Sequence, residues 1–256
     1  MTPIVIAFFI SFSLCFVSFA NVYIYRLPVD KSMLTASECM HCQKPIPFYF
    51  NIPLVGFFIL RGKTACCQKS LSPQYPIVEG LTAVGAFYIG SIYGVNFESV
   101  LAFFFYLSLL IIFFTDLNEY IIPNIVTYSL STSGILIAYL SYSVFDLSLA
   151  DSLWGGIISG AVLLGTSKLF LLIRKKEGMG MGDVKMISMI GFWMGLENTF
   201  LVLIASSLLG SIVGISLILF KKMDQSQYIP FGTFLSVGTI IIWIVKIYFG
   251  SSLLMI

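Results

Sequence analysis

The chain has 256 residues, of which 58% are hydrophobic and only 10% charged, with a formal net charge of +2 at pH 7. A soluble domain carries about 25% charged residues, and a mean hydropathy of +0.98 excludes one here. Apolar runs recur along most of the chain, which also excludes a soluble domain on a single anchor and implies an all-α polytopic membrane protein.

The first run, "PIVIAFFISFSLCFVSFANVYIY", exceeds the roughly 20 residues that span a bilayer. No cationic residue precedes it in "MTP", and no small-residue cleavage site follows a short core. It is expected to be a retained helix over residues 1–25 rather than a signal peptide. Cys15, within it, is expected to be a small apolar packing residue. Residues 26–75 form a polar segment holding four of the five cysteines. The remainder, 76–256, reads as a helical bundle with spans near 76–94, 99–116, 122–143, 153–173, 184–196, 199–220 and 232–250. That makes about eight transmembrane helices, the sixth being short and interrupted by Gly191 and Gly195. No internal repeat or low-complexity tract stands out.

Charge placement orients this layout. Arg26, Lys31, Lys44, Arg61, Lys63 and Lys69 fall in the first loop. Arg174, Lys175, Lys176 and Lys185 surround the stretch "EGMGMGD", and Lys221 and Lys222 precede the last span. Alternation puts all of them on one side. The opposite connections, near Glu98, Asp146, Asp151 and Glu197, have no Lys or Arg. By the positive-inside rule the basic side is cytoplasmic and both termini are outside. Lys168 and Lys246 lie within spans, close enough to the ends to snorkel.

Two acids fall at the cytoplasmic ends of spans. Asp116 ends the third in "LLIIFFTDLNEYIIPN", and Asp183 begins the sixth in "GMGMGDVK". Ionisable groups at membrane depth usually face a bundle interior or a wet cavity. Two carboxylates in contact share a proton, so one can accept a proton from water while the other protonates or polarises a carbonyl. That is peptide hydrolysis without metal or covalent intermediate. Gly178, Gly180 and Gly182 would let the backbone take positive φ and a substrate strand come close. On the residues alone, Asp183 is equally an N-cap for the sixth span, and both acids are equally cation ligands. Glu79, Glu119 and Glu177 are competing acids. Glu79 lies inside the second span, where a basic side chain is its expected partner, and the other two are expected to be solvated.

The polar segment holds Cys39-Met-His-Cys42 and the adjacent Cys66 and Cys67. In a reducing cytoplasm such clusters either bind metal or remain reduced thiols. Zinc held by thiolates would staple a loop too polar to fold alone. Phe48, Tyr49, Phe50, Phe57 and Phe58 beside basic residues suit a membrane surface. The modest charge and membrane setting speak against nucleic acid as a partner.

Five segments, taken together and in order, resemble the type IV prepilin peptidases, aspartyl proteases of the bacterial inner membrane. They are "SFANVYIYRLP" (Ser18–Pro28), "NIPLVGFFILRGK" with "LSPQYPIVE" (Asn51–Glu79), "TDLNEYIIPN" (Thr115–Asn124), "EGMGMGDVK" (Glu177–Lys185) and "IPFGTFLSVG" (Ile229–Gly238). The resemblance implies Asp116 and Asp183 as the catalytic pair, with Gly178, Gly180, Gly182 and Lys185 in the active-site loop. It implies cleavage of the short basic leader of prepilins or pseudopilins at the cytoplasmic face. It also implies methylation of the new N-terminus with S-adenosylmethionine. Many relatives carry further acids where this chain has Asn118 and Asn124.

The family often carries two C-x-x-C pairs resembling a zinc knuckle. Here Cys39, Cys42 and Cys67 match, Thr64 stands at the fourth position, and Cys66 or His41 is the candidate substitute. Adjacent cysteines make awkward shared ligands, so a distorted or absent site is the competing expectation. The rival function, from another class, is a cation- or proton-coupled transporter using intramembrane acids.

Overall fold

A computed structural model of the chain describes residues 3–27, 38–39, 42–142, 144–176, 178–220 and 229–250. Its elements are helices: α1 (Pro3–Arg26), α2 (Val55–Ile59), α3 (Gln74–Tyr93), α4 (Phe97–Glu119), α5 (Asn124–Tyr139), α6 (Leu149–Arg174), α7 (Met181–Leu219) and α8 (Phe231–Phe249). A 3-10 turn at Phe48–Asn51 precedes α2. Among the described residues there are isolated bridges but no named strands. Among the described residues five helices, α3, α4, α6, α7 and α8, are long and apolar enough to cross a membrane. The chain is a helical, multi-pass membrane protein. It divides inside α4 into two compact units, Met1–Ile111 and Ile112–Ile256.

In the first unit α1 runs antiparallel to α3. Asn21 meets Glu79, and four residues further along α1 the ring of Tyr25 stacks on Tyr75, with centroids 4.4 Å apart and planes 12° from parallel. Phe12 and Phe16 pack edge-on against Phe103 and Phe104 at the start of α4, at 5.5 and 5.0 Å. Such pairs add to the area they bury because ring edge and ring face carry opposite partial charge. Cys15 is exposed rather than packed: it lies on a different side of α1 from the face that meets α3.

In the second unit small residues bring helices together. A Cβ on Gly155 would lie 2.8 Å from the Gly195 Cα, so only glycine permits this approach of α6 to α7. Ser152 and Ser188 donate across the same interface to the carbonyls of Phe192 and Gly156, at 2.7 and 2.8 Å. The Trp193 indole N–H donates to the Leu130 carbonyl on α5 at 2.7 Å. The Lys246 Nζ donates to the Phe145 carbonyl at 3.1 Å.

α7 has 39 residues, which as one rod would be about 58 Å long, roughly twice the hydrocarbon core of a bilayer. It is not one rod. Gly195 has φ 76° and ψ 173°, a conformation outside the helix. Ile122 lies against both Gly182 and Gly232, and Ile229 against Gly214. Both far ends of α7 therefore reach the start of α8. The segments 181–194 and 196–219 are antiparallel arms folded back at Gly195, and they correspond to the expected sixth and seventh spans.

Candidate active site and cysteine cluster

Asp116 sits three residues before the end of α4 and is 4% exposed. Its Oδ2 accepts the Thr233 backbone N–H at 2.7 Å and the Thr233 hydroxyl at 3.1 Å. Thr233 is the third residue of α8, just past the N-cap Pro230. The carboxylate therefore occupies the amino end of α8, where free N–H groups and the helix dipole favour a negative charge. Gly232 makes room for it: a Cβ there would lie 3.0 Å from the Asp116 Oδ2 and 2.7 Å from Ile122.

Asp183 is the third residue of α7 and is 9% exposed. Its carboxylate accepts the N–H of the N-cap residue, Gly180, at 3.2 Å. Capping, offered above as the alternative to a reactive role, is thus real, but it comes from inside the first turn and not from the N-cap. Asp183 is also near enough to Asp116 to feel its charge. Residues 67 positions apart in sequence are brought together, each braced by a helix N-terminus.

The glycines act differently from the expectation. None of Gly178, Gly180 and Gly182 has positive φ. Gly180 is extended at φ −73° and ψ 149°. What the absent side chains supply is space: Gly178 lies against the Phe170 ring and Gly182 against Ile122. Beside Gly180 the nearest atom a Cβ would meet is the Asp183 Oδ2 itself, at 3.5 Å. Lys185 turns to α5. Its Nζ donates to the Asn124 Oδ1 at 2.8 Å and lies 5.3 Å from the centre of the Tyr128 ring. Asn124, where many relatives have an acid, thus pins the start of α7 as a neutral acceptor.

Glu79 has no basic partner of the expected kind in its hydrogen bonds; it accepts the Asn21 amide at 3.0 Å and the Leu54 N–H at 2.6 Å, all within the first unit. Glu119 is exposed at the end of α4. Glu177 lies outside the described residues, as does His41.

The four loop cysteines converge. The sulfurs of Cys39, Cys42, Cys66 and Cys67 all lie within 4.8 Å of one another. The Cys39–Cys67 separation is 3.8 Å and the Cys42–Cys66 separation 3.0 Å. Four thiolates at about 2.3 Å from a tetrahedral zinc would stand about 3.8 Å apart, so the donor set fits with a small expansion at Cys42–Cys66. None of the four is in a disulfide. Hydrogen bonds with the sulfurs of Cys42 and Cys39 push the Cys66 thiol up to about 12, so a metal here displaces protons as it binds.

The backbone explains the set. The Cys39 N–H donates to the Lys44 carbonyl and the Gln43 N–H to the Cys39 carbonyl, both at 2.9 Å. The Thr64 N–H donates to the Lys69 carbonyl at 2.8 Å and the Gln68 N–H to the Thr64 carbonyl at 3.0 Å. Gln43 and Gln68 share a left-handed φ of 57° and 58°. Cys39, Gln43 and Lys44 thus repeat, 25 positions earlier, the backbone hydrogen bonds of Thr64, Gln68 and Lys69. Thr64 occupies the Cys39 position of the second set and hydrogen-bonds with the Cys67 sulfur at 3.1 Å. Cys66, one residue earlier than Cys67, fills the thiol set in its place. The repeat was legible as Cys-Gln-Lys occurring twice.

A multi-pass helical protein with two buried aspartates, each bonded at a helix N-terminus and near enough for one to feel the other's charge, and a four-cysteine cluster in a separate unit, is the class defined so far. Comparison with known proteins narrows it. Residues 11–93 match the bacterial peptidase A24 N-terminal domain and residues 103–215 the type IV leader peptidase family. A prepilin leader peptidase/N-methyltransferase of Aeromonas hydrophila is 34% identical over 252 residues, covering 89% of this chain and 86% of that protein. Proteins of the same name from Stutzerimonas stutzeri and Legionella pneumophila are 30% and 28% identical, over 86% and 95% of this chain and 84% and 91% of theirs. No solved structure gives a significant match. The chain belongs to the type IV leader peptidase family.

Proposed function

We propose that this protein is an intramembrane aspartyl endopeptidase that removes the short basic leader from type IV prepilin-like precursors and then methylates the new N-terminus. The proteolytic half is supported by two buried carboxylates, Asp116 and Asp183, each bonded to a backbone N–H at a helix N-terminus and close enough for Asp183 to feel the Asp116 charge. One carboxylate takes a proton from the attacking water as its oxygen bonds to the scissile carbonyl carbon. The other gives a proton to the carbonyl oxygen. The resulting tetrahedral centre collapses as the amide nitrogen receives a proton and the C–N bond breaks. Thr233 keeps the Asp116 carboxylate aimed, and Lys185 fixes the start of α7 through Asn124.

In this account eight spans cross the bacterial inner membrane, both termini lie outside, and the cysteine loop and the aspartates face the cytoplasm. The distribution of Lys and Arg among the connections supports that orientation. The substrate helix lies in the bilayer while its leader stays in the cytoplasm; pilins and pseudopilins fit this description. Cys39, Cys42, Cys66 and Cys67 would hold a structural zinc ion, and S-adenosylmethionine would supply the methyl group.

A cleavage assay on a candidate prepilin tests the proposal. Asp116→Ala and Asp183→Ala are each expected to abolish processing at unchanged expression. Full cleavage by either variant would overturn the assignment of that aspartate. Mass spectrometry of the mature product is expected to show one added methyl group.

A further inference from the structure

The starts of α7 and α8 are built alike. In each, the second residue is a glycine, Gly182 or Gly232, and the third bears on a carboxylate: it is Asp183 itself, or the Thr233 that holds Asp116. One side chain lies against both glycines. A Cβ on Gly182 would stand 3.1 Å from the Ile122 Cβ. A Cβ on Gly232 would stand 2.7 Å from the Ile122 Cδ1 and 3.0 Å from the Asp116 Oδ2. Half-buried Ile122 therefore fills the gap between the two helix starts along its length, with its root on α7 and its tip on α8.

The sequence makes this side chain stiff. Pro123 follows it, and the residue before a proline is confined to extended backbone, which fixes where its Cβ points. Isoleucine branches at Cβ, which restricts χ1. Pro123 is itself buried, and its carbonyl accepts the N–H groups of Val126 and Thr127 at 3.2 and 3.1 Å. The next residue, Asn124, accepts the Nζ of Lys185, two positions beyond Asp183, at 2.8 Å. Residues 122–124 thus draw α7 in through one polar contact and hold it off through one apolar contact. A gap-filling side chain elsewhere in the bundle would affect stability alone. Removing this one lets Asp183 move relative to Thr233 and to the carboxylate that Thr233 holds.

We propose that Ile122 is a positioning residue for leader cleavage, a rigid apolar spacer that sets the separation of the α7 and α8 starts and with it that of Asp116 and Asp183. The inference rests on the proteolytic half of the function proposed above. One carboxylate serves the attacking water and the other the carbonyl oxygen, so the two must flank the scissile carbon at a fixed spacing. A misplacement of about 1 Å in such a site costs about 100-fold in rate.

Exchange of side-chain size tests this in the full chain in detergent, with cleavage of a candidate prepilin resolved into kcat and KM. Ile122→Ala removes the spacer beyond Cβ and is expected to lower kcat at least about 10-fold while KM stays within about twofold. Gly232→Ala adds a methyl group against the Ile122 Cδ1 and Asp116, and is expected to lower kcat at least about 10-fold as well. Ile122→Val removes Cδ1 and keeps the branch at Cβ. Combined with Gly232→Ala, it is expected to raise kcat at least about 5-fold above Gly232→Ala alone, because neighbouring changes in one packed gap are not additive.

The thermal unfolding midpoint of each preparation reports whether the variant has folded. A folded Ile122→Ala with kcat within about twofold of the unaltered protein overturns the proposal. A loss confined to KM also overturns it, since Ile122 would then be a substrate contact. So does a double variant no more active than a folded Gly232→Ala, a result that stands even where Ile122→Ala does not fold. Failure of the proteolytic reading itself looks different: the unaltered protein then leaves the prepilin uncut.

Discussion

The cysteine cluster of the first unit and the aspartate pair of the second solve a similar problem by opposite means. Each has a threonine hydroxyl on a functional atom. Thr64 touches the Cys67 sulfur from three positions away, and Thr233 touches Asp116 from 117 positions away. The cysteine site is built from one set of local backbone hydrogen bonds made twice, so its geometry is set within short segments of chain. The aspartate site exists only when the ends of α4, α7 and α8 are packed together. A local site tolerates a shifted ligand, because a neighbouring residue can fill the gap, as Cys66 does for Thr64. A site assembled from distant helix ends has no such neighbour: positions 118 and 124 are asparagines, and the other acid of the segment, Glu119, is exposed at the end of α4 while Asp116 is buried.

Substitutions test that contrast. The largest effect is expected at the aspartates. Asp116→Asn or Asp183→Asn removes a proton-transfer group and should lower leader cleavage by at least about 1,000-fold in a detergent assay. Retention of more than a tenth of the activity would break the comparison.

The next largest concerns the shifted ligand. Cys66→Ser should weaken zinc binding by at least about 100-fold, measured as competition with a chelator. The double change Thr64→Cys with Cys66→Ser should restore it, because residue 64 already has the backbone of a ligand position. A double variant as weak as Cys66→Ser would show that the two turns are not equivalent.

Thr233→Val removes one hydrogen bond to a carboxylate and leaves the backbone N–H in place. Cleavage should fall about 10-fold, with the loss in kcat rather than KM, since the group acts through Asp116. Thr64→Ala has the smallest expected effect, a few-fold loss of zinc affinity, because it supports a sulfur and is not itself a donor to the metal. If Thr64→Ala exceeded Thr233→Val, local support would matter more than distant support and the contrast would reverse.

Much of this was legible in the residues, for identifiable reasons. Hydropathy located most of the helices because a bilayer demands long apolar runs. The bias of Lys and Arg put Asp116 and Asp183 at one end of the bundle before any contact was known. The two arms of α7 match the expected spans 184–196 and 199–220, whose connection was placed near Glu197, while the break itself falls at Gly195. Thr233 was missed as a partner of Asp116, since nothing in "PFGTF" says which carboxylate reaches that helix start. Residue type alone suggests positive φ at the glycines, whereas the room Gly178 and Gly182 leave for Phe170 and Ile122 depends on which side chains arrive there. Glu79 was expected to seek a base and instead accepts an amide and a backbone N–H.

Composition and hydropathy by themselves determined that this chain is a helical membrane protein, with two acids at the ends of apolar runs and a cysteine-bearing polar segment. These properties follow from the cost of placing polar groups in lipid, which each segment meets alone. Tertiary structure decided what touches those groups: the α8 N-terminus on Asp116, Cys66 in place of Thr64, and Ile122 against both Gly182 and Gly232. These depend on packing between segments distant in sequence, where a difference of one residue in register changes the partner.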